Sequence, residues 1–359
     1  MRVVTIRDIA EKAEVSISTV SRVLNNRPDV DSGTRERVLE IVRKYNYTQN
    51  NNARNLKQRS VDFVAVIVRG RMNIFLTGIA EQILARGRSA PYQFILEFID
   101  EQADEFEAAR RLYAERCLCG IIFLGSNTVG HEEEIGRLSV PCVFATIEGA
   151  PLAEVSSIGV DNRAASRALA DMLFELGHRR IAYIGYPGDV MDSIGRRYAG
   201  VMDAYAARGL AFDESLFAHS NFSLTGAYAA TRGLLARSRD FTAVITVSDV
   251  VALGAIKALW DADLLVPGDV SVVGFDGIDF AQYSLPPLTT MRQPADLIAQ
   301  KSVDLMIATI GGAEHAHLIV DAQLLAGESV RRIGDPIPQI VSGSEGEPGA
   351  IVLEGGERS

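Results

Sequence analysis

Residues Thr5–Asn25 read TIRDIAEKAEVSISTVSRVLN, and the spacing of their apolar side chains decides how the start of the chain folds. Ile6, Ile9, Ala10 and Ala13 fall at helical spacing on one face, followed by Glu14-Val15-Ser16 as a turn. Ser16 is placed to cap a second helix, accepting a backbone N–H that would otherwise be orphaned. In that second helix Val20, Val23 and Leu24 point inward, which leaves Ile17, Ser18, Ser21, Arg22 and Asn25 on the opposite face. Short hydrogen-bonding side chains and one arginine suit the DNA major groove, where Arg reads guanine and Asn or Ser reads other base edges. The spacing predicts a helix-turn-helix. It also fits a plain helical hairpin whose outer face is only solvated.

Charge separates these alternatives. Residues 1–60 hold 12 Lys+Arg against 7 Asp+Glu, a net of +5, and the remainder of the 36 basic and 46 acidic residues gives the rest of the chain 24 against 39, a net of −15. A basic head on an acidic body fits a head that meets phosphate. Asp31 is a good N-cap for a third helix running to about Asn46, whose Val38, Ile41, Val42 and Tyr45 form the stripe that closes a three-helix core. The stretch Thr48–Ser60, TQNNNARNLKQRS, reads as a flexible linker in the absence of DNA. Ala53 and Leu56 stand three apart in it, so a short helix, marginal alone in water, could form when a second copy and DNA supply contacts. Leu56 would then wedge between base pairs in the minor groove.

These first sixty residues resemble the LacI/GalR family of transcriptional regulators. The resemblance rests on Thr5, Asp8, Ala10, Val15-Ser16, Thr19-Val20-Ser21-Arg22-Val23, Asn25, Thr34-Arg35, Asn46-Tyr47 and the Ala53-Arg54-x-Leu56 hinge. It implies base contacts by Ile17, Ser18, Arg22 and Asn25, with Leu56 as the minor-groove lever. Thr5, Ser16, Thr19, Ser21, Thr34, Asn50 and Ala53 would meet the DNA backbone. Two positions depart from the family pattern. Glu14 stands in the turn, where a non-glycine residue in a left-handed conformation costs about 1–2 kcal/mol, and Gln49 stands where proline is frequent at the hinge entry.

At 359 residues the chain is expected to hold two or three domains, and with 47% hydrophobic residues it can bury a large core. No run is long enough to span a membrane and the first residues lack the apolar core of a signal peptide, so a cytoplasmic location is expected. Cys117, Cys119 and Cys142 read as unbridged thiols, not as a metal site.

From Val61 short apolar strands alternate with amphipathic helices. VDFVAVIV, YQFILEFI, CGIIFLG and CVFATI are separated by helical stretches around 74–87, 101–116 and 131–138. After Ser157 the rhythm restarts with IGV, a helix at about 162–176, RIAYIG, a helix around 195–208, TAVITV, a helix at 249–262 and VSVVGFD. This is a parallel, doubly wound α/β pattern in two successive lobes, with a ligand expected in the cleft beyond the strands' carboxyl ends. The body resembles the periplasmic-binding-protein-like effector domain of the same family. That resemblance implies three crossings between lobes, near Gly159, Thr290 and Asp321. The expected plan is an all-α helix-turn-helix head at 1–47, a hinge at 48–60 and a two-lobed effector domain at 61–332. Its first lobe would take about 61–158 and 291–320, its second 159–290 and 321–332. The Gly-, Pro-, Ser- and Glu-rich tail 333–359 is expected to be disordered and offers no leucine heptads for a coiled coil.

Candidate ligand residues sit at strand ends. Ser193–Gly200 matches the family's S-x-x-x-R-x-x-G segment, which implies that Arg197 grips ligand hydroxyls. Asp276 ends VSVVGFD and would accept from a diol, Phe222 stands at the family's aromatic platform, and Asp249 and Asp161 follow strands. Asp161 and Asp249 equally read as helix N-caps, and Phe222 as lobe core. In the first lobe only Asn73 and Phe75 match the family's Asn-Pro-Phe-Phe segment. Arg69 and Arg71 bring positive charge to the rim, which raises an anionic ligand against the plainer reading of solvated arginines.

The expected function is a DNA-binding regulator, most simply a repressor, controlled by a small carbohydrate-like effector and working as a homodimer on a palindromic operator. A solute-binding protein accounts for the body but not the head. An enzyme lacks its chemistry here: there are no paired carboxylates at useful spacing, no nucleophile elbow, no P-loop and no metal cluster, and the five histidines form no constellation. No catalytic residue, metal or cofactor is expected.

Overall fold

The computed structural model describes residues 6–24, 30–44, 62–70, 73–149, 152–187 and 192–335. Thr5, Asn25, Asn50, Ala53, Leu56, Arg71, the whole of the 48–60 hinge and the tail beyond 335 lie outside the described residues.

The head is built from three helices, α1 (Ile6–Lys12), α2 (Ile17–Leu24) and α3 (Ser32–Lys44). Ile9, Ala10, Ala13, Val20, Val23 and Val38 close its core, as the apolar stripes require. The turn is held by Val15 N–H donating to Ala10 O at 3.0 Å, and Glu14 passes through it at φ 54°. Ser16 Oγ accepts from Thr19 N at 3.1 Å, and Asp31 Oδ2 accepts from Thr34 N at 3.0 Å. The Thr34 amide holds the Asp31 carboxyl below its usual range. So short a domain depends on these caps, each worth about 1 kcal/mol.

In the body, strands β1 (Phe63–Arg69), β2 (Gln93–Ile99), β3 (Leu118–Leu124), β4 (Cys142–Ala145) and β5 (Ser156–Val160) alternate with α4 (Ile74–Gly87), α5 (Glu105–Glu115) and α6 (Glu132–Gly136). They pair in parallel in the order β2-β1-β3-β4-β5. Next come α7 (Asn162–Glu175), β6 (Ile181–Gly185), α8 (Ser193–Ala206), β7 (Phe217–His219), α9 (Leu224–Arg237), β8 (Ala243–Thr246), α10 (Asp249–Trp260), β9 (Ser271–Asp276), α11 (Asp279–Gln282) and β10 (Thr289–Arg292). Their sheet runs β7-β6-β8-β9-β10, so the two lobes repeat one topology. Helix α12 (Ala295–Ile310) then packs on the first lobe against α4, and β11 (His317–Val320) extends the first sheet beside β5. Finally β12 (Gln323–Leu325) returns antiparallel to β10.

The chain therefore crosses between lobes three times, and the first crossing lies beyond the point where the rhythm restarts. The segment IGV does not open the second lobe; it is the end of β5, parallel to β4, and the crossing comes after Val160. Likewise β10 stays with β9, so the second crossing follows Arg292. A parallel strand buried on both faces reads the same whether it closes one sheet or opens the next.

Beyond β12 the chain forms a strap across the second lobe. Val272 N donates to Ser329 O at 2.8 Å, and Ile333 N donates to Leu176 O at 2.8 Å. His178, 1% exposed, fixes the strap: Nδ1 lies 2.9 Å from Thr242 Oγ1, and Nε2 lies 3.1 Å from the Arg331 carbonyl. Burial pushes its pKa below 6.5. The folded protein then resists a proton that the unfolded chain accepts, so the stability His178 lends is complete above pH 6.5 and is lost as pH falls through the folded value. The urea midpoint of the wild-type protein should accordingly decline below pH 6.5 more steeply than that of His178→Gln. Parallel curves would remove histidine from that role.

Candidate functional sites

In a doubly wound sheet of order 2-1-3-4-5, the loops after the first and third strands diverge to opposite faces and leave a crevice between them. Both lobes line a cavity of about 480 Å³ jointly, and the first lobe turns this switch point toward it. From the first lobe come Arg69 and Gly70 after β1, and Gly125, Ser126 and Asn127 after β3. From the second come Tyr186 after β6 and Asp276 at the end of β9.

The floor is a buried charge cluster. Arg197 and Asp276 are both 6% exposed, and Nη1 donates to Asp276 Oδ1 at 3.3 Å. The same nitrogen donates to Val247 O at 2.7 Å, while Nε donates to Asn162 Oδ1 at 2.8 Å. The guanidinium lies 3.7 Å from the centre of the Phe275 ring, within cation–π range. Asp276 sits at φ 110°, a costly backbone state for a side chain with a Cβ. It is held there by Gln293, whose N–H donates to Asp276 O at 3.0 Å and whose Nε2 donates to Oδ1 at 2.8 Å.

Beneath the floor lies Asp249, fully buried. It is the first residue of α10, and the cap of that helix is Ser248, whose Oγ accepts from Val251 N. The Asp249 carboxylate turns inward instead, accepting from Ile278 N at 2.8 Å and from Thr290 Oγ1 at 2.5 Å. Its oxygen occupies the space that a Cβ at residue 274 would need, which accounts for Gly274. Burial, reinforced by Asp276, raises its pKa to about 7, and desolvation also raises that of Asp276.

Of the residues expected from sequence, Arg197, Asp276, Phe222, Asn73 and Phe75 come together on the cavity wall. Asn73 also caps α4, accepting from Leu76 N at 3.1 Å, and Phe222 meets Tyr186 edge to face. Asp249 is separated from the cavity because, at the start of α10, its carboxyl is turned under the β9 loop onto Ile278 and Thr290. Asp161 is likewise not in the lining: it caps α7, accepting from Ala164 N at 2.8 Å. Arg69 reaches the cavity, but its guanidinium is paired with buried Glu105 at 3.1 Å and so adds no uncompensated positive charge.

Sequence reading missed Tyr186, Asp192 and Gln293. Asp192 caps α8 through Gly195 N at 2.6 Å, and a cap ahead of the S-x-x-x-R-x-x-G segment could have been read from its spacing. Gln293 could not, because only the crossing after β10 brings it against Asp276.

In the head, Ile17, Ser18 and Arg22 are exposed on one side of α2, with Ser21 and Thr19 half-buried. Ser16, Ser18 and Thr19 share hydroxyl contacts of 2.7 and 2.8 Å at its start. Thr34 is half-buried in the first turn of α3.

Residues 5–50 match the model of bacterial regulatory proteins of the lacI family, and residues 170–330 match a periplasmic binding protein-like domain. Over 330 residues the chain is 35% identical to the HTH-type transcriptional regulator MalR of Clostridium butyricum, covering 90% of this chain and 98% of that protein. The chain belongs to the LacI family. This LacI-family transcriptional regulator is also 31% identical to CelR of Thermobifida fusca over 338 residues, covering 90% and 98% of the two chains. A solved CelR–cellobiose complex superposes with a TM-score of 0.68 at 30% identity, covering 91% of this chain and 99% of that one. Among the described residues, no helix of the LacI-family protein is long and apolar enough to cross a membrane.

The acid beneath the floor gives a signed pH test. With a folded pKa near 7 against an ordinary 3.8, the folded state keeps a proton that the unfolded chain has lost. Stability therefore falls as pH rises from about 4 to 7, by something on the order of 4 kcal/mol for an isolated group. Asp249→Asn should flatten that slope in denaturant unfolding measured across the window. An unchanged slope would mean that Asp249 is ionised throughout.

Proposed function

We propose that the protein is a repressor whose operator affinity is set by a neutral carbohydrate held between the two lobes. The observation that carries this reading is the paired Arg197–Asp276 floor beneath a cavity with aromatic walls. Guanidinium and carboxylate present donors and acceptors to hydroxyls, and Phe222, Tyr186 and Phe75 offer apolar surface to the C–H faces of a sugar. The CelR complex, which holds cellobiose, supports the same ligand class.

Repression requires two heads on a palindrome, and therefore a homodimer. Phe280, Tyr283 and Leu285 are 59%, 85% and 78% exposed within one short segment, an apolar cluster that a second copy would cover. In this reading Ile17, Ser18, Arg22 and Asn25 contact base edges, and Leu56 enters the minor groove. Thr5, Ser16, Thr19, Ser21, Thr34, Asn50 and Ala53 track the phosphates. Ligand in the cleft changes the angle between the first lobes of the two subunits and hence the pairing of the two hinges, so ligand and operator affinities are coupled reciprocally.

Calorimetry with cellobiose, maltose and their monosaccharides, followed by gel shifts on palindromes with and without the binding sugar, tests both halves. Saturable heat and a change in operator affinity are expected. No heat with any sugar would remove the carbohydrate reading while leaving the regulator intact. Arg22→Ala should cost about 1–3 kcal/mol of operator affinity and relax one base position. Binding equal to wild type would exclude Arg22 from base readout.

A further inference from the structure

The first-lobe wall of the cavity carries an arrangement that the grip of Arg197 and Asp276 does not use. Arg69, at the end of β1, presents its guanidinium to the cavity with 23% of its side chain exposed. Behind it stands Glu105, 1% exposed at the first position of α5. Arg69 Nε and Nη2 reach Glu105 Oε2 at 3.2 and 3.1 Å, and Nη1 donates to the Glu101 carbonyl at 3.4 Å. Glu105 Oε1 is buried, and the buried hydroxyl of Ser126 on the cavity wall acts on the same carboxyl.

We propose that Glu105 is a specificity-determining residue: by holding Arg69 it makes the cavity refuse ligands that carry a carboxylate or phosphate. The proposal rests on the reading that the effector occupies this cavity.

An anion entering the site would seek a guanidinium. To take Arg69 it must displace Glu105, and a buried carboxylate stripped of its ion-pair partner is strongly unfavourable. Arg197, the other cation among the described lining residues, is already matched by Asp276. The remaining charged side chains of the described lining, Asp100, Glu101 and Asp192, are acids. Burial raises the Glu105 pKa while Arg69, Ser126 and His131 oppose the shift. The position at the start of α5 also favours a negative charge there. The Arg69–Glu105 pair thus presents an oriented hydrogen-bond donor to the cavity with its charge compensated. Specificity arises from a penalty on the wrong ligand as much as from contacts with the right one.

The test replaces the acid by its neutral isostere. Inorganic phosphate and D-glucuronate are titrated calorimetrically into the full-length wild-type protein, Glu105→Gln, and the double variant Glu105→Gln/Arg69→Met. The expected result is a gain of about tenfold or more in anion affinity for Glu105→Gln, abolished in the double variant. Equal anion affinity in wild type and Glu105→Gln would overturn the proposal, as would a gain that survives loss of Arg69. Glu105→Leu takes over the comparison if the Gln variant does not give the wild-type circular dichroism spectrum. The phosphate arm needs no cognate effector, so it decides this proposal even if every neutral sugar fails to bind. That second failure would count against the carbohydrate reading instead.

Discussion

A buried guanidinium paired with a single carboxylate is the constraint on which the sensor lobes depend. Arg197 has lost almost all contact with water, and its cost is met only because three other segments arrive at the same point. Strand β8 delivers the Val247 carbonyl, the start of α7 delivers Asn162, and β9 delivers Asp276. Removing one member strands the others, and breaking a buried pair typically costs about 3–5 kcal/mol. The loop that carries Asp276 is itself awkward. Asp276 and Gly277 take φ of 110° and 73°, and the Asp249 carboxylate below accepts Ile278 N–H to hold the turn. Strain in that loop is tolerated because the charge network on both sides fixes it.

The same network joins ligand recognition to lobe geometry. Gln293, which binds Asp276 through both its backbone and its side chain, is the residue at which the chain leaves the second lobe for α12 on the first. A ligand that changes the bonding of Asp276 acts directly on a crossing segment. Thr290, one turn of strand earlier, is tied to Asp249, so the crossing is anchored to the floor from below as well. Coupling between sites needs an element with two arrangements that both sites bias, and the crossing strands are the segments that a change in lobe angle must bend.

Much of this was legible in the sequence wherever the signal is local. The stripe through Ile9, Ala13, Val20 and Val23 closes the head core as its spacing demands, and Ser16 and Asp31 cap the helices they precede. The alternating strands and helices of the body likewise announced two doubly wound lobes. Topology was less legible. The strand ending in IGV belongs to the first sheet, because a buried parallel strand carries no mark of which neighbour it will pair with. Side-chain fate was least legible. Asp249 follows an apolar strand and Asp276 ends one, yet the first is sealed under the floor and the second faces the cavity. Arg69 looked like a free rim charge until the fold brought Glu105, thirty-six residues away, behind it. Glu14 remains an exception of a different sort: its φ of 54° confirms the left-handed turn, and nothing in its surroundings accounts for a glutamate there.

The pairing extends around the cavity and bears on how a switch can work. Helices α4, α8 and α9 all begin at its wall, and their caps Asn73, Asp192 and Ser223 each spend a side-chain oxygen on an N–H of their own helix. Arg69 is matched by Glu105 and Arg197 by Asp276. Most polar groups of the wall are thus oriented by the protein itself, so a ligand meets fixed donors and acceptors and little binding energy is lost in ordering them. Gln293 Oε1 and Ser126 Oγ are buried oxygens of this wall, one in each half of the cavity, that accept no hydrogen bond from the described residues. A polyhydroxylated ligand that donates to both must bridge the lobes. The caps and ion pairs on either side leave few wall groups for those two bonds to reorder. Bonds made at once from both halves of the cavity favour one angle between the lobes over others.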